Sequence, residues 1–288
     1  MMKPTVIMVP YPAQGHVTPM LNLASALSRH GLSPVVVTPE FIHHTIAHKN
    51  THITCKSIPD GLDDETPRDF FSIEFAMENN MPEHLDHLVR ELNGGDDGGV
   101  AFMIVDLLAS WALKVGGDCG VPVVGYWPVM FAAYQLIAAI PEMLSLGIIS
   151  ETGIPQNQGP IYLGHEQPPL STEDLPWLIG NPVSRKSRFR FWTRTLARTR
   201  TLPQILFVNC DYIVKIWRIG IRIDDFGEEN VHRSLEEVMG DMKMGKRLVK
   251  LNERVFGMET SLRVVANLTN FVDDYRRVTN DLTLTKEY

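Results

Sequence analysis

Two side chains in this sequence are placed to do proton chemistry: a histidine at position 16 and an aspartate at position 106. His16 closes the stretch Val9-Pro10-Tyr11-Pro12-Ala13-Gln14-Gly15-His16, between an apolar, β-branched run and an apolar run with helical spacing. A loop that leaves a strand of an open parallel sheet lies at the carboxyl edge, where such sheets bind ligands. The dipole of the helix that follows disfavours positive charge there, so the imidazole is favoured in its neutral, proton-accepting form. Asp106 ends a second apolar strand, Val100 to Val105, and so falls on the same edge. A carboxylate there can bind one imidazole nitrogen, fix the tautomer and stabilise the imidazolium formed when the other nitrogen takes a proton. Each residue has a plainer alternative: a turn histidine for His16, an N-cap of the next helix for Asp106. Together, at two strand ends, they read as a base and its orienter.

The elements that must hold this pair are legible in outline. Strand-like runs at Thr5–Val9, Pro34–Thr38, Val100–Val105 and Val121–Tyr126 lack polar alternation and are separated by helical patterns. That predicts an α/β fold, a Rossmann-like doubly wound parallel sheet covered on both faces. The first helix is expected from Pro19 to Arg29, with Thr18 as N-cap, Pro19 at the first helical position and Gly31 beyond the end. Further helices are expected over 40–49, 68–92, 107–115 and 187–201, with a strand at Gln204–Asn209. Residues 150–184, rich in Pro, Gly and Ser, read as irregular loop. Beyond 210 only helical patterns remain, about 228–239 and 245–279.

Composition narrows the function. Of the 288 residues 44% are hydrophobic and 21% charged, ordinary for a globular protein with a sizeable core. A formal charge of -7 gives no general basic field for nucleic acid. Three scattered cysteines, Cys55, Cys119 and Cys210, support neither a disulfide framework nor a zinc-thiolate site, and a reducing compartment is expected. The N-terminal residues do not read as a signal peptide, and the apolar stretch Pro128–Ser150 is interrupted by Gln135, Pro141 and Glu142. A cytoplasmic protein without an integral membrane segment is expected. No GxGxxG and no GxxxxGK[ST] occurs. His43, His44, His48 and His52 cluster without the glutamate of HExxH and read as a solvated helix face. The basic run Arg185–Arg200, with Phe189, Phe191 and Trp192 interleaved, reads as an amphipathic helix with a basic solvent face.

At this point a family comes into view. PYPAQGHVTPMLNLASAL resembles the opening of the plant UDP-glycosyltransferases of secondary metabolism. MIVDLLASWALKVG is similar to the segment carrying that family's second catalytic residue, and PPLSTEDLPWLIG resembles its interdomain-facing loop. The resemblance implies a GT-B fold, two Rossmann-like domains facing a cleft, the first binding an acceptor and the second a UDP-sugar, with no metal. It puts the catalytic base on His16 and its orienting acid on Asp106. It implies that Gln14 and Gly15 line the cleft beside the base, and that Trp127 and Phe131 form acceptor wall. The implied acceptor is a small lipophilic hydroxyl compound, glycosylated with inversion; UDP-sugar is a co-substrate and no cofactor is expected.

The sequence also departs from the family. Its donor-binding box should open with Trp-x-Pro-Gln, pass through His-Cys-Gly-Trp-Asn-Ser and end in Asp/Glu-Gln. None of the five tryptophans is followed by x-Pro-Gln, and no such His-Cys run exists. FVNCDYIVKIWRIGIRI nonetheless resembles the sequence that follows the box, with Ile205 and Leu206 where the closing pair should stand. The expected organisation is therefore an acceptor-binding domain at 1–206 and a mostly helical remnant of the donor domain at 207–288, joined near Leu206–Phe207. Binding of UDP-sugar by such a chain is in doubt. Two functions are carried forward: an inactive or severely impaired glycosyltransferase, and a non-catalytic small-molecule-binding or regulatory partner of an intact one.

Overall fold

A computed structural model of the chain describes residues 3–47, 53–94, 99–157, 159–161, 170–200 and 202–207. They belong to one unit, Met1–Asn209. The helices expected beyond 210, and with them the donor-domain remnant, lie outside the described residues.

Six strands form one parallel sheet in the order β3-β2-β1-β4-β5-β8: β1 (Thr5–Val9), β2 (Ser33–Pro39), β3 (Thr54–Ile58), β4 (Val100–Asp106), β5 (Val123–Trp127) and β8 (Ile205–Phe207). Helices α1 (Gln14–Arg29), α2 (Glu40–Ile46), α3 (Phe70–Asn79), α4 (Met81–Asn93), α5 (Ala112–Asp118), α6 (Phe131–Ala138), α7 (Ile140–Ser145) and α8 (Pro182–Thr199) connect and cover it. The doubly wound arrangement expected from the unbroken apolar runs is present. Ile7, Val9, Val35, Val37, Met103 and Val105 face one large core with α3, α4, α5 and α8. The alternate residues Val6, Met8, Val36, Phe102 and Ile104 are just as buried on the other face. Burial on both faces is why these strands carry no polar alternation.

Strand order reverses between β1 and β4, and their pairing sets Val9 beside Val105. The loop after β1 and the last residue of β4 are thus brought together at the switch point, where doubly wound sheets open a crevice.

Several boundaries differ from expectation. Helix α1 starts at Gln14, with Ala13 as N-cap and no side-chain cap bond, so Thr18 and Pro19 lie inside it. Pro19 cannot donate to the Gly15 carbonyl four residues back, but Gly15 is exposed, so water can satisfy that group. Thr18, expected as the cap, instead accepts a hydrogen bond from the Gln14 side-chain amide at 2.8 Å. Strand β3 had no counterpart in the sequence reading: its pattern is mostly exposed, and only Ile58 is buried. The stretch expected as one helix over 68–92 is two, broken at Asn80 ahead of Pro82. Within the 150–184 loop a short antiparallel pair forms, β6 (Pro160–Ile161) with β7 (Leu170–Ser171).

The basic helix is also less solvated than expected. Arg198 holds Glu78 of α3 bidentately at 2.7 and 2.8 Å, and Arg194 pairs with Glu74 and Glu78. The same helix buries Phe189, Phe191 and Trp192. At the sheet edge β8 is half-buried, as an edge strand is, rather than fully buried. Gly125 of β5 makes this pairing close: a Cβ there would stand 2.8 Å from Leu107, 3.0 Å from Leu202 and 3.2 Å from Ile205. Among the described residues no helix is long and apolar enough to cross a membrane.

Candidate active site

The two residues expected as base and orienter meet. His16 occupies the third position of α1, inside the first turn rather than ahead of it, and is 9% exposed. Its Nδ1 lies 2.7 Å from Oδ2 of Asp106, which is wholly buried. The other oxygen, Oδ1, accepts the Leu108 backbone N–H at 3.0 Å and caps the 3-10 turn Leu107–Ala109. Asp106 therefore makes both of the contacts expected of it, one with each oxygen. Capping fixes the carboxylate in place, and the fixed carboxylate aims the imidazole. An ionised carboxylate only accepts, so Nδ1 carries the proton and Nε2 is left as the acceptor.

Tyr11, which sequence reasoning passed over, packs against His16. Its ring meets the imidazole in a T-shaped contact with centroids 5.3 Å apart, and only 8% of it is exposed. Burial pushes its phenol up to about 12, opposed by the nearby charge of Arg188. Because the folded value lies above the unfolded value of 10, the unfolded chain loses this proton first as pH rises. Stability is then full below about pH 10 and falls through the window up to about pH 12. Replacing Tyr11 by Phe removes that component. The unfolding free energy of the native chain relative to Tyr11→Phe should fall by about 2 kcal/mol between about pH 9 and about pH 11.5 in urea titrations.

The other expected residues are placed unequally. Gln14 and Gly15 are exposed on the first turn of α1, beside His16. Trp127 ends β5 but is 1% exposed; its indole N–H donates to the Met130 carbonyl at 3.0 Å, and its ring touches Tyr134 and Trp192. It lies in the aromatic core behind the edge, not on an open wall. Phe131 opens α6, and its side chain lies outside the described residues. Of the histidine cluster, His48 and His52 also lie outside; among the described residues no three His, Cys, Asp or Glu side chains gather as a metal would require.

The loop that follows β3 reaches the same edge. It is fastened by Arg68, which binds the Asp60 carboxylate and the carbonyls of Leu62, Asp63 and Thr66. That leads directly into Asp69, whose carboxylate caps α3 through the N–H groups of Phe71 and Ser72. Phe70 then meets Phe191 of α8 in a T-shaped contact, with the Arg188 guanidinium 4.1 Å from its ring centroid. A longer spacing pattern could not have found these partners, because they come from elements more than 100 residues apart in sequence.

No protein-family model matches the chain. Among curated proteins it is 55% identical over 208 residues to UDP-glycosyltransferase 82A1 of Arabidopsis thaliana, covering 71% of this chain and 44% of that protein. It is 25% identical over 265 residues to UDP-glycosyltransferase 83A1 of the same plant, covering 85% and 56%. The chain spans about half the length of these curated relatives. Among solved structures it matches a UDP-glucosyltransferase from Polygonum tinctorium with a TM-score of 0.58 at 18% identity, covering 81% of this chain and 49% of that one. UGT71G1 of Medicago truncatula, complexed with UDP-glucose, matches with a TM-score of 0.54 at 14% identity, covering 82% and 49%. Likenesses at such low identity establish the fold, and the first curated relative adds kinship in sequence. By its sequence kinship the chain belongs to the plant UDP-glycosyltransferases, and its fold has the Rossmann-like sheet of their GT-B architecture.

Proposed function

We propose that the described domain is the acceptor-binding half of a UDP-glycosyltransferase. The observation that carries this reading is the buried 2.7 Å contact of His16 with Asp106 at the switch point of the sheet. In the proposed reaction Nε2 of His16 takes the proton from a hydroxyl of a small lipophilic acceptor. The resulting alkoxide attacks the anomeric carbon of a UDP-sugar from the face opposite UDP, which leaves with its bonding pair, so the configuration inverts. Asp106 stays ionised and stabilises the imidazolium. General-base help of this kind is worth about 100- to 10,000-fold in rate. Gln14 and Gly15 border the acceptor, the sugar nucleotide is a co-substrate, and no metal takes part.

A second reading is favoured by one specific feature, the missing donor box. Without the groups that hold UDP and sugar, this chain works as a non-catalytic acceptor-binding or regulatory partner of an intact glycosyltransferase. Both readings need the acceptor site. Titrating the 288-residue chain with 1-naphthol, a neutral lipophilic phenol, should move the His16 ring resonances saturably, and binding followed by calorimetry should weaken in His16→Ala. Binding that leaves His16 unmoved, or no binding at all, sinks the acceptor site.

A further inference from the structure

Helix α1 is 16 residues long, and its first turn, at the carboxyl edge of the sheet, is left uncapped. Ala13, in the N-cap position, gives no side-chain bond, and the turn carries no acidic residue. The N–H groups of His16 and Val17 are both spent on the Ala13 carbonyl, at 2.9 and 3.0 Å. Those of Gln14 and Gly15 have no acceptor among the described residues. The Gln14 carboxamide turns away to Thr18 and caps nothing. Both residues are exposed, and a Cβ built on Gly15 would meet nothing within 4 Å, so the space before these donors is open.

A second observation falls on the same turn. His16, 9% exposed, is held through Nδ1 by Asp106 and through its ring by Tyr11. Its Nε2 has no partner among the described residues, yet it is not one of the buried polar atoms shut off from solvent. Side chains of a helix lean toward its N-terminus, so the imidazole of the third residue stands over the turn that carries the two free N–H groups. A proton acceptor and two hydrogen-bond donors thus share one open turn. A helix N-terminus with unused N–H groups favours a negative oxygen in front of it. With neither the cap nor the acid that ordinarily fills this place, the turn is left for a ligand.

We propose that the first turn of α1 is an oxyanion site, and that the acceptor is a phenol, not an aliphatic alcohol, bound through its ionised oxygen. The phenol O–H bond breaks and its proton passes to the Nε2 lone pair of His16. The oxygen keeps the bonding pair and accepts from the N–H groups of Gln14 and Gly15. No proton is released to solvent, and the Asp106 carboxylate faces the imidazolium. The same helix pole that keeps the free imidazole neutral stabilises the oxygen once the proton has moved. This rests on the reading of His16 as the residue that faces the acceptor. It narrows the lipophilic hydroxyl compound to one acidic enough to give up its proton on binding.

The test titrates the 288-residue chain with 4-nitrophenol, which absorbs visible light only as the phenolate, at a pH below the free phenol's own midpoint. Phenolate absorbance should appear on binding, and the His16 ring resonances should move to imidazolium positions. Gln14→Pro deletes one of the two N–H groups at a position where proline suits a helix. Ala13, at φ -135° and ψ 145°, already has the backbone that a residue before proline needs. The proline variant should bind the phenolate about five- to tenfold more weakly than Gln14→Ala, which lacks the same side chain but keeps the N–H; that is the range of one partly exposed, charge-assisted hydrogen bond. Inorganic phosphate in excess should not displace the phenolate; displacement makes the turn a phosphate site and overturns its assignment to the acceptor. Equal binding by the two variants overturns it as well. If the proline variant does not fold, the native chain decides, since phenol bound in its neutral form overturns the oxyanion site. If that neutral phenol still moves His16, the acceptor reading survives alone. If no phenol binds, both fall together.

Discussion

Given UDP-glucose and 1-naphthol, the purified 288-residue chain should release UDP no faster than buffer does. The expectation follows from comparing two magnitudes. A positioned general base contributes about 100- to 10,000-fold. Holding two reactants in attacking geometry contributes up to about 7–11 kcal/mol, or roughly 10⁵- to 10⁸-fold. On the proposed reading His16 and Asp106 supply the first. The second needs a surface for the sugar nucleotide, and the sequence contains neither Trp-x-Pro-Gln nor His-Cys-Gly-Trp-Asn-Ser. Positioning is the larger effect, so an intact base cannot compensate for its loss. Release of UDP above background that disappears in His16→Ala would show that this chain holds a donor by some other means, and the proposal of impaired catalysis would be abandoned.

The second large effect concerns Asp106, where one residue does two jobs. Asp106→Ala removes the acceptor of the His16 Nδ1–H and of the Leu108 N–H in a site with no exposure. Two buried donors left unpaired cost about 1–3 kcal/mol each, and partial relaxation brings the expected loss to about 2–4 kcal/mol in urea unfolding. Asp106→Asn should behave differently. The amide oxygen can keep the Leu108 cap, so stability is largely retained, but the amide N–H₂ then faces Nδ1 and forces the proton onto Nε2. Nitrogen-15 shifts of the imidazole should show that exchange of tautomers, and with it His16 loses the lone pair that would accept a proton. If Asp106→Asn leaves Nδ1 protonated, the carboxylate is not what sets the tautomer.

The parts of this site differ in how much of them the chain discloses. His16 and Asp106 could be paired from sequence because parallel strands put all their following loops on one edge, so a residue's place at a strand end is enough. β3 escaped notice because four of its five residues are at least partly exposed, leaving no apolar run to detect. The start of α1 was misread because Thr18-Pro19 carries every local sign of a beginning. The helix begins earlier because its first-turn carbonyls are open to solvent and can tolerate the missing N–H of Pro19. Tyr11, Phe70 and Arg188 could not be read at all. Their importance is one of contact between α8, α3 and the β1 loop, and nothing in the spacing of residues 11, 70 and 188 records it.

One feature of the fold bears on how such a chain comes to exist. β8 spans the junction expected from the sequence at Leu206–Phe207, where the proposed acceptor domain would give way to sequence resembling the far end of the donor domain. It pairs with β5 through residues on both sides of that seam. A strand ladder is made by main-chain groups, which are the same in every residue but proline. The sheet therefore imposes almost no test on which coding segment supplies its final strand, so long as the replacement favours an extended backbone. If the donor box was lost at that seam, as proposed, quality control that acts on folding would pass this half of the molecule, and only the chemistry would register the loss.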